Sequence, residues 1–172
     1  KKSIAKNYGC KDAVNIPNGV SITGRPAFMP EILNSYKLER YNYIFTLGRF
    51  VPEKGFDYLI NAFKQSGLQD QYKLVIAGDA DHETDYSVAL KKQALSAGVI
   101  LTGFIKGNEL SQLFSNSMLF ILPSFYEGLP IALLEGMAYK LPILASDIPA
   151  NKQVNLPEMN YFKVGDEQEL AV

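Results

Sequence analysis

Short apolar runs alternate with amphipathic stretches along the whole chain. The runs YIFTLG (43–48), YKLVIAG (72–78), VILTG (99–103), MLFILP (118–123) and PILAS (142–146) have the length and content of buried strands, and most end at Gly, Pro or Ser. NYFKV (160–164) is a weaker sixth. Between the first two, Phe56, Leu59, Ile60 and Phe63 fall on one face of a helix that Gly67 can terminate. Tyr86, Leu90, Ala94 and Ala97 mark a second helix, closed by Gly98. Asn108 can cap a third, which carries Leu110, Leu113 and Phe114, and Pro130 suits the first turn of a fourth. Strand and helix alternate throughout. That order predicts an α/β domain with a doubly wound, Rossmann-like parallel sheet, helices on both faces. Ligands of such sheets sit beyond the carboxyl ends of the strands, so the loops there carry the chemistry.

Three of those loops stand out. GRFVPEKG (48–55) follows the first strand and puts Arg49 and Lys54 around Pro52, between Gly48 and Gly55. Two cations ahead of a helix suit a diphosphate, Arg as a two-pronged donor and Lys as a point charge. The same residues also make a solvated basic loop with a surface ion pair to Glu53. Neither the P-loop spacing nor G-x-G-x-x-G is found there, which counts against a nicotinamide or flavin dinucleotide. FYEGLPIALLEGMA (125–138) places Glu127 in a loop and Glu135 in the second turn of the helix that Pro130 opens. Gly128 lets a ligand approach the backbone, and the amides of Gly128, Leu129 and Ile131 lie near the positive end of the helix dipole. Glu135 can accept two ribose hydroxyls and Glu127 the hydroxyls of a sugar. Equally, Glu127 can cap its own helix and Glu135 can be a surface residue. GDAD (78–81) offers Asp79 and Asp81 either as ligands for a divalent cation or, the favoured reading, as a polar turn.

Composition narrows the classes. A net charge of −1 with cations scattered along the chain argues against nucleic acid as a main partner. The lone cysteine, Cys10, cannot close an internal disulfide, and a reducing, cytoplasmic setting is the simpler reading. His82 is the only histidine, so no Ser-His-Asp or His-rich metal set is available. Ser124 follows a strand but lacks the G-x-S-x-G elbow of a nucleophile. The chain opens without Met and stops inside a predicted helix. It reads as a piece of something longer, with residues 1–20 a linker or hinge from a preceding domain and 21–172 a domain truncated at its carboxyl end.

G-R-x-x-x-x-K-G after the first strand, then P-S-x-x-E-G-L-P-x-x-x-x-E-x-M-A, resembles the carboxy-terminal domain of family 4 (group 1) glycosyltransferases of GT-B fold. The likeness runs from IPNGV (16–20) to the end and takes in SDIPANKQV (146–154). It implies a retaining enzyme that needs no metal and moves a hexose from a sugar nucleotide, a UDP-sugar by the family's habit, to a glycan or lipid-linked acceptor. Arg49 and Lys54 would then bind the diphosphate, and Glu135 the ribose. Glu127 with the amides of Gly128 and Leu129 would face the sugar and phosphate, Gly48 would line the donor site, and Gly103, Phe104 and Ile105 would lie near the base. The acceptor domain would precede this one, with a membrane surface open as a partner of the full-length protein. Pro130 replaces a glycine common in the motif, and Ser21 stands where Asp is frequent. A glycosidase pair of Glu127 and Glu135 is set aside, since nothing makes them flank one bond. A sugar-nucleotide epimerase of the same architecture and a non-catalytic nucleotide-binding module stay as alternatives.

Overall fold

The computed structural model describes residues 19–21 and 24–171. Its centre is a parallel sheet of six strands: β1 (Tyr43–Leu47), β2 (Lys73–Ala77), β3 (Ile100–Gly103), β4 (Leu119–Leu122), β5 (Ile143–Ser146) and β6 (Tyr161–Phe162). Their order across the sheet is β3-β2-β1-β4-β5-β6. All six expected strands are present, each trimmed by a residue or more, and every pairing is parallel. The order reverses between β1 and β4. This is the switch point of a doubly wound sheet, where the loops leaving the two strands diverge and open a crevice.

Strict alternation along the central strands divides the core in two. Tyr43, Phe45, Val75, Ala77, Phe120 and Leu122 point to one face, and Ile44, Leu74, Ile76 and Ile121 to the other. Strands buried on both sides need apolar residues at every position, which is why their sequences read as unbroken apolar runs. The first face is covered by α1 (Pro30–Ser35), α4 (Gly107–Ser115) and α5 (Ile131–Ala138), through Leu33, Leu113, Phe114 and Leu133. The second is covered by α2 (Phe56–Gln65), α3 (Asp85–Ser96) and α7 (Glu167–Ala171), with Phe56, Leu59, Ile60, Phe63, Leu90 and Ala94 turned inward. A short α6 (Pro149–Lys152) follows β5.

Helix ends depart from expectation in two places. The third expected helix, α4, starts at Gly107 with Lys106 at its N-cap, so Asn108 lies inside the first turn. The left-handed φ of +59° at Gly107 makes the turn that Asn108 was expected to make. Pro130 is the N-cap of α5 and not its first helical residue: its ψ is 72°, and its carbonyl accepts from the amides of Leu133 and Leu134. Of the expected hinge at 1–20, all but Gly19 and Val20 lies outside the described residues, as do Cys10 and most of IPNGV. No described helix is long and apolar enough to cross a membrane.

Candidate functional site

The loops after β1 and β4 meet backbone to backbone. Glu53, in the single 3-10 turn Pro52–Lys54, accepts through its carbonyl from the amides of Phe125, at 2.8 Å, and Tyr126. Gly55 permits this: its φ is +64°, and a Cβ there would lie 2.7 Å from the Pro123 carbonyl oxygen. Gly78 does the same between the loops after β1 and β2, since a Cβ would fall 2.0 Å from the Gly48 carbonyl oxygen. Three strand-end loops therefore pack closer than any side chain would allow.

This closeness joins Lys54 to Glu127. Lys54 Nζ donates to Glu127 Oε1 at 2.7 Å, with the two side chains only 21 and 9% exposed. Ser124 Oγ donates to the same oxygen at 2.7 Å, and no described residue donates to Oε2. Glu135 completes the wall. A cleft of about 270 Å³ is lined by Gly48, Lys54, Glu127, Leu129, Pro130 and Glu135 among others. Burial alone pushes the Glu135 carboxyl above the usual carboxylate range, because the ionised form is short of water there. The backbone above Gly128 is open, with nothing within 4 Å of where a Cβ would stand. The Ile131 amide is otherwise occupied, donating to the Leu129 carbonyl at 2.9 Å. Of the expected amide set at this helix start it is thus the one already taken.

Arg49 takes a different direction. Its guanidinium donates to Asp81 at 3.2 Å across open solvent, both side chains more than half exposed. Asp81, in the loop after β2, is its partner, not the adjacent Glu53 that the chain order suggested. Asp79 is held by Lys91 at 2.8 Å and by the Ala80 amide, and the Lys91 ammonium lowers its pKa. Arg49 and Gly48 line a second hollow of about 210 Å³ with Ala77, Gly78, Phe104 and Ile105. Its walls are apolar, and the Phe104 ring is 65% exposed. Gly48 borders both hollows, so one groove runs over the carboxyl ends of β4, β1 and β2. The structure gathers Gly48, Lys54, Glu127, Leu129 and Glu135 in one half of that groove, and Arg49, Phe104 and Ile105 in the other. Gly103, which ends β3, instead pairs with Gly78 through its carbonyl.

Two participants were not found by sequence reasoning. Ser124 was weighed only as a nucleophile, although its S-x-x-E spacing was visible. Asp81 was weighed only as a metal ligand or turn.

The sequence profile of "Glycosyl transferases group 1" matches residues 28–171. The chain belongs to the group 1 glycosyltransferases. It is 33% identical over 118 residues to an uncharacterised glycosyltransferase of Methanocaldococcus jannaschii, covering 68% of this chain and 30% of that one. It is 29% identical over 160 residues to the UDP-Gal:alpha-D-GlcNAc-diphosphoundecaprenol alpha-1,3-galactosyltransferase of Escherichia coli, covering 87% of this chain and 40% of that one. The chain thus spans well under half the length of these relatives. Among solved structures, Anabaena HepE in complex with UDP and glucose superposes with a TM-score of 0.74 at 24% identity, over 90% of this chain and 44% of that one. That likeness is one of fold, and it agrees with the six-stranded Rossmann-like sheet found for this glycosyltransferase domain.

Proposed function

We propose that the chain is the carboxy-terminal, donor-binding domain of a retaining family 4 glycosyltransferase of GT-B fold. It would serve transfer of a hexose from a UDP-sugar to a glycan or lipid-linked acceptor. The observation that carries this is the convergence of one cation and two carboxylates, Lys54, Glu127 and Glu135, in a single cleft at the sheet's switch point. A nucleoside diphosphate sugar needs just such a mixture, with positive charge for phosphate and acceptors for ribose and sugar hydroxyls. The E. coli relative's name includes a UDP-sugar and a diphosphoundecaprenol-linked acceptor, and the Anabaena structure holds UDP and glucose. Both support the choice of carrier.

In this scheme Lys54 leaves Glu127 for the diphosphate, and Arg49 swings from Asp81 to join it. The amino end of α5 adds its partial positive charge. As the bond to the anomeric carbon breaks, charge builds on the departing diphosphate, and these groups are already in place to stabilise it. Glu127, with Oε2 toward the cleft, orients the sugar. Glu135 holds the ribose, and the base lies in the apolar hollow against Phe104 and Ile105. The scheme calls for no metal ion, since side chains supply the positive charge, and Asp79 is engaged by Lys91.

A thermal-shift panel of UDP-, GDP- and ADP-sugars tests the site on this chain. At a hundredfold excess over Kd a ligand adds ~2.7 kcal/mol. That moves the Tm of a domain this size by roughly 5–10 °C. UDP-sugars are expected to do so with or without chelator. A flat panel, or a shift that appears only with magnesium, would refute the proposal.

A further inference from the structure

The stretch SDIPANKQV lies outside the groove, yet it sits directly beneath it. Ser146 ends β5, the neighbour of β4, and its hydroxyl donates to the Ser124 carbonyl at 2.5 Å. Asn151, from α6, donates through Nδ2 to Ser146 Oγ at 3.0 Å and to the Ser146 carbonyl at 2.9 Å. The directions are consistent along the row: amide to hydroxyl, hydroxyl to carbonyl. All three residues are fully buried. The row continues upward, since Ser124 Oγ donates to Glu127 Oε1.

We infer that Ser124, seated on Ser146 and Asn151, is a positioning residue that sets the rotamer of the Glu127 carboxylate toward the donor sugar. Three observations carry it. Glu127 leaves a loop, not a strand or helix, so its direction is not fixed by regular backbone. Its other partner is Lys54, a flexible side chain that has to leave if it is to meet a diphosphate. Ser124 is then the one described side chain still holding Oε1, and it holds that oxygen alone, leaving Oε2 without a described donor. A carboxylate pinned at one oxygen by a rigid hydroxyl keeps its plane through turnover, whereas one held by Lys54 alone would not. The buried row beneath fixes Ser124 in turn, because hydrogen bonds in a water-free interior are strong and mutually reinforcing. The row is kept buried although it leaves the Asn151 Oδ1 atom without a partner. The inference rests on the donor-binding role proposed for Glu127.

Ser124→Ala removes only the hydroxyl; the carbonyl that Ser146 grips remains, so the fold is expected to persist. In the full-length enzyme, kcat should fall by roughly ten- to a hundredfold, the range of a lost hydrogen bond to a charged group. Donor Kd should change little, and Ser124→Thr, which restores a hydroxyl, should recover most of the rate. Ser146→Ala should give a weaker version of the same pattern. A Ser124→Ala enzyme that turns over like the wild type would overturn the inference, as would a Thr variant no better than Ala. Crystal structures of variants provide a readout that does not depend on activity. With Lys54→Met standing in for the departed lysine, adding Ser124→Ala is expected to move the Glu127 carboxylate, and an unmoved carboxylate would overturn the inference. If the wild-type enzyme transferred no sugar, the transferase proposal would fail by itself, and the crystallographic comparison would still decide whether Ser124 sets Glu127.

Discussion

Replacing Lys54 by Met is expected to destabilise the free domain by about 2 kcal/mol, and the size follows from where the pair sits. Breaking a fully buried ion pair costs ~3–5 kcal/mol because a charge is stranded, whereas exposed pairs are worth ~1 kcal/mol or less. Lys54 and Glu127, with side chains 21 and 9% exposed, stand between these limits. Glu127 would keep its bond from Ser124, which softens the loss. Met is chosen over Ala because the Lys54 stem also packs, with Cδ and Cε 3.4 Å from where a Gly48 Cβ would be. Glu127→Gln should cost less, about 1 kcal/mol, since a neutral amide oxygen still accepts from Lys54 and Ser124. The double variant strands no charge, so its loss should fall short of the sum by ~1 kcal/mol or more. Urea unfolding of the four proteins at neutral pH gives these values directly. A 2 kcal/mol loss would also lower Tm by roughly 4–8 °C. Additivity within ~0.5 kcal/mol would mean that the two charges do not feel each other, and the geometry of the cleft would have to be redrawn.

Glu135→Gln should make the domain more stable at neutral pH. Burial raises the carboxyl's folded pKa, so the folded state binds its proton more tightly than the unfolded chain. Stability therefore falls as pH rises through the window above the ordinary Glu value, and Gln removes that loss; Tm measured against pH should show the advantage vanish in acid. The same variant should bind a UDP-sugar roughly tenfold more weakly by calorimetry, and unchanged affinity would remove Glu135 from the ribose site. Gly78→Ala should cost about 3 kcal/mol or more, since the added methyl meets the Gly48 carbonyl and the backbone stands at φ +122°. Wild-type Tm and donor affinity in that variant would contradict the close approach of the two loops. Asp81→Asn should leave stability within ~0.5 kcal/mol, as the pair is exposed, and should strengthen donor binding by freeing Arg49. Weaker binding in calorimetry would show that Asp81 helps to place Arg49.

Much of this was written in the apolar pattern. Both-sided burial makes YIFTL, KLVIA and LFIL continuous, and the parallel sheet follows from that together with the helices between them. The glutamates and Lys54 were legible because strand ends in such sheets are where chemistry concentrates. The partnerships were not. Lys54 meets Glu127 only because Gly55 lets one loop touch the Pro123 carbonyl, a close approach that no spacing in the chain announces. Arg49 turned to Asp81 and not Glu53 for the same reason: Gly78 pulls the loop after β2 against Gly48. Helix starts were displaced by two residues at Gly107 and by one at Pro130, where backbone conformation, not side-chain preference, sets the boundary.

Lys54 and Glu127 are 73 residues apart in the chain, and the groove forms where β1 lies beside β4. The strands β2 and β3 and three helices are threaded between them. Neither half of the sheet carries both charges, so a chain with only its first three strands in place has no such cleft to offer. On the donor-binding proposal, a nucleotide present during synthesis then cannot shelter a half-made domain. It rewards only the chain in which the two halves have closed on each other, and so sharpens the passage between unfolded and finished states without populating anything between.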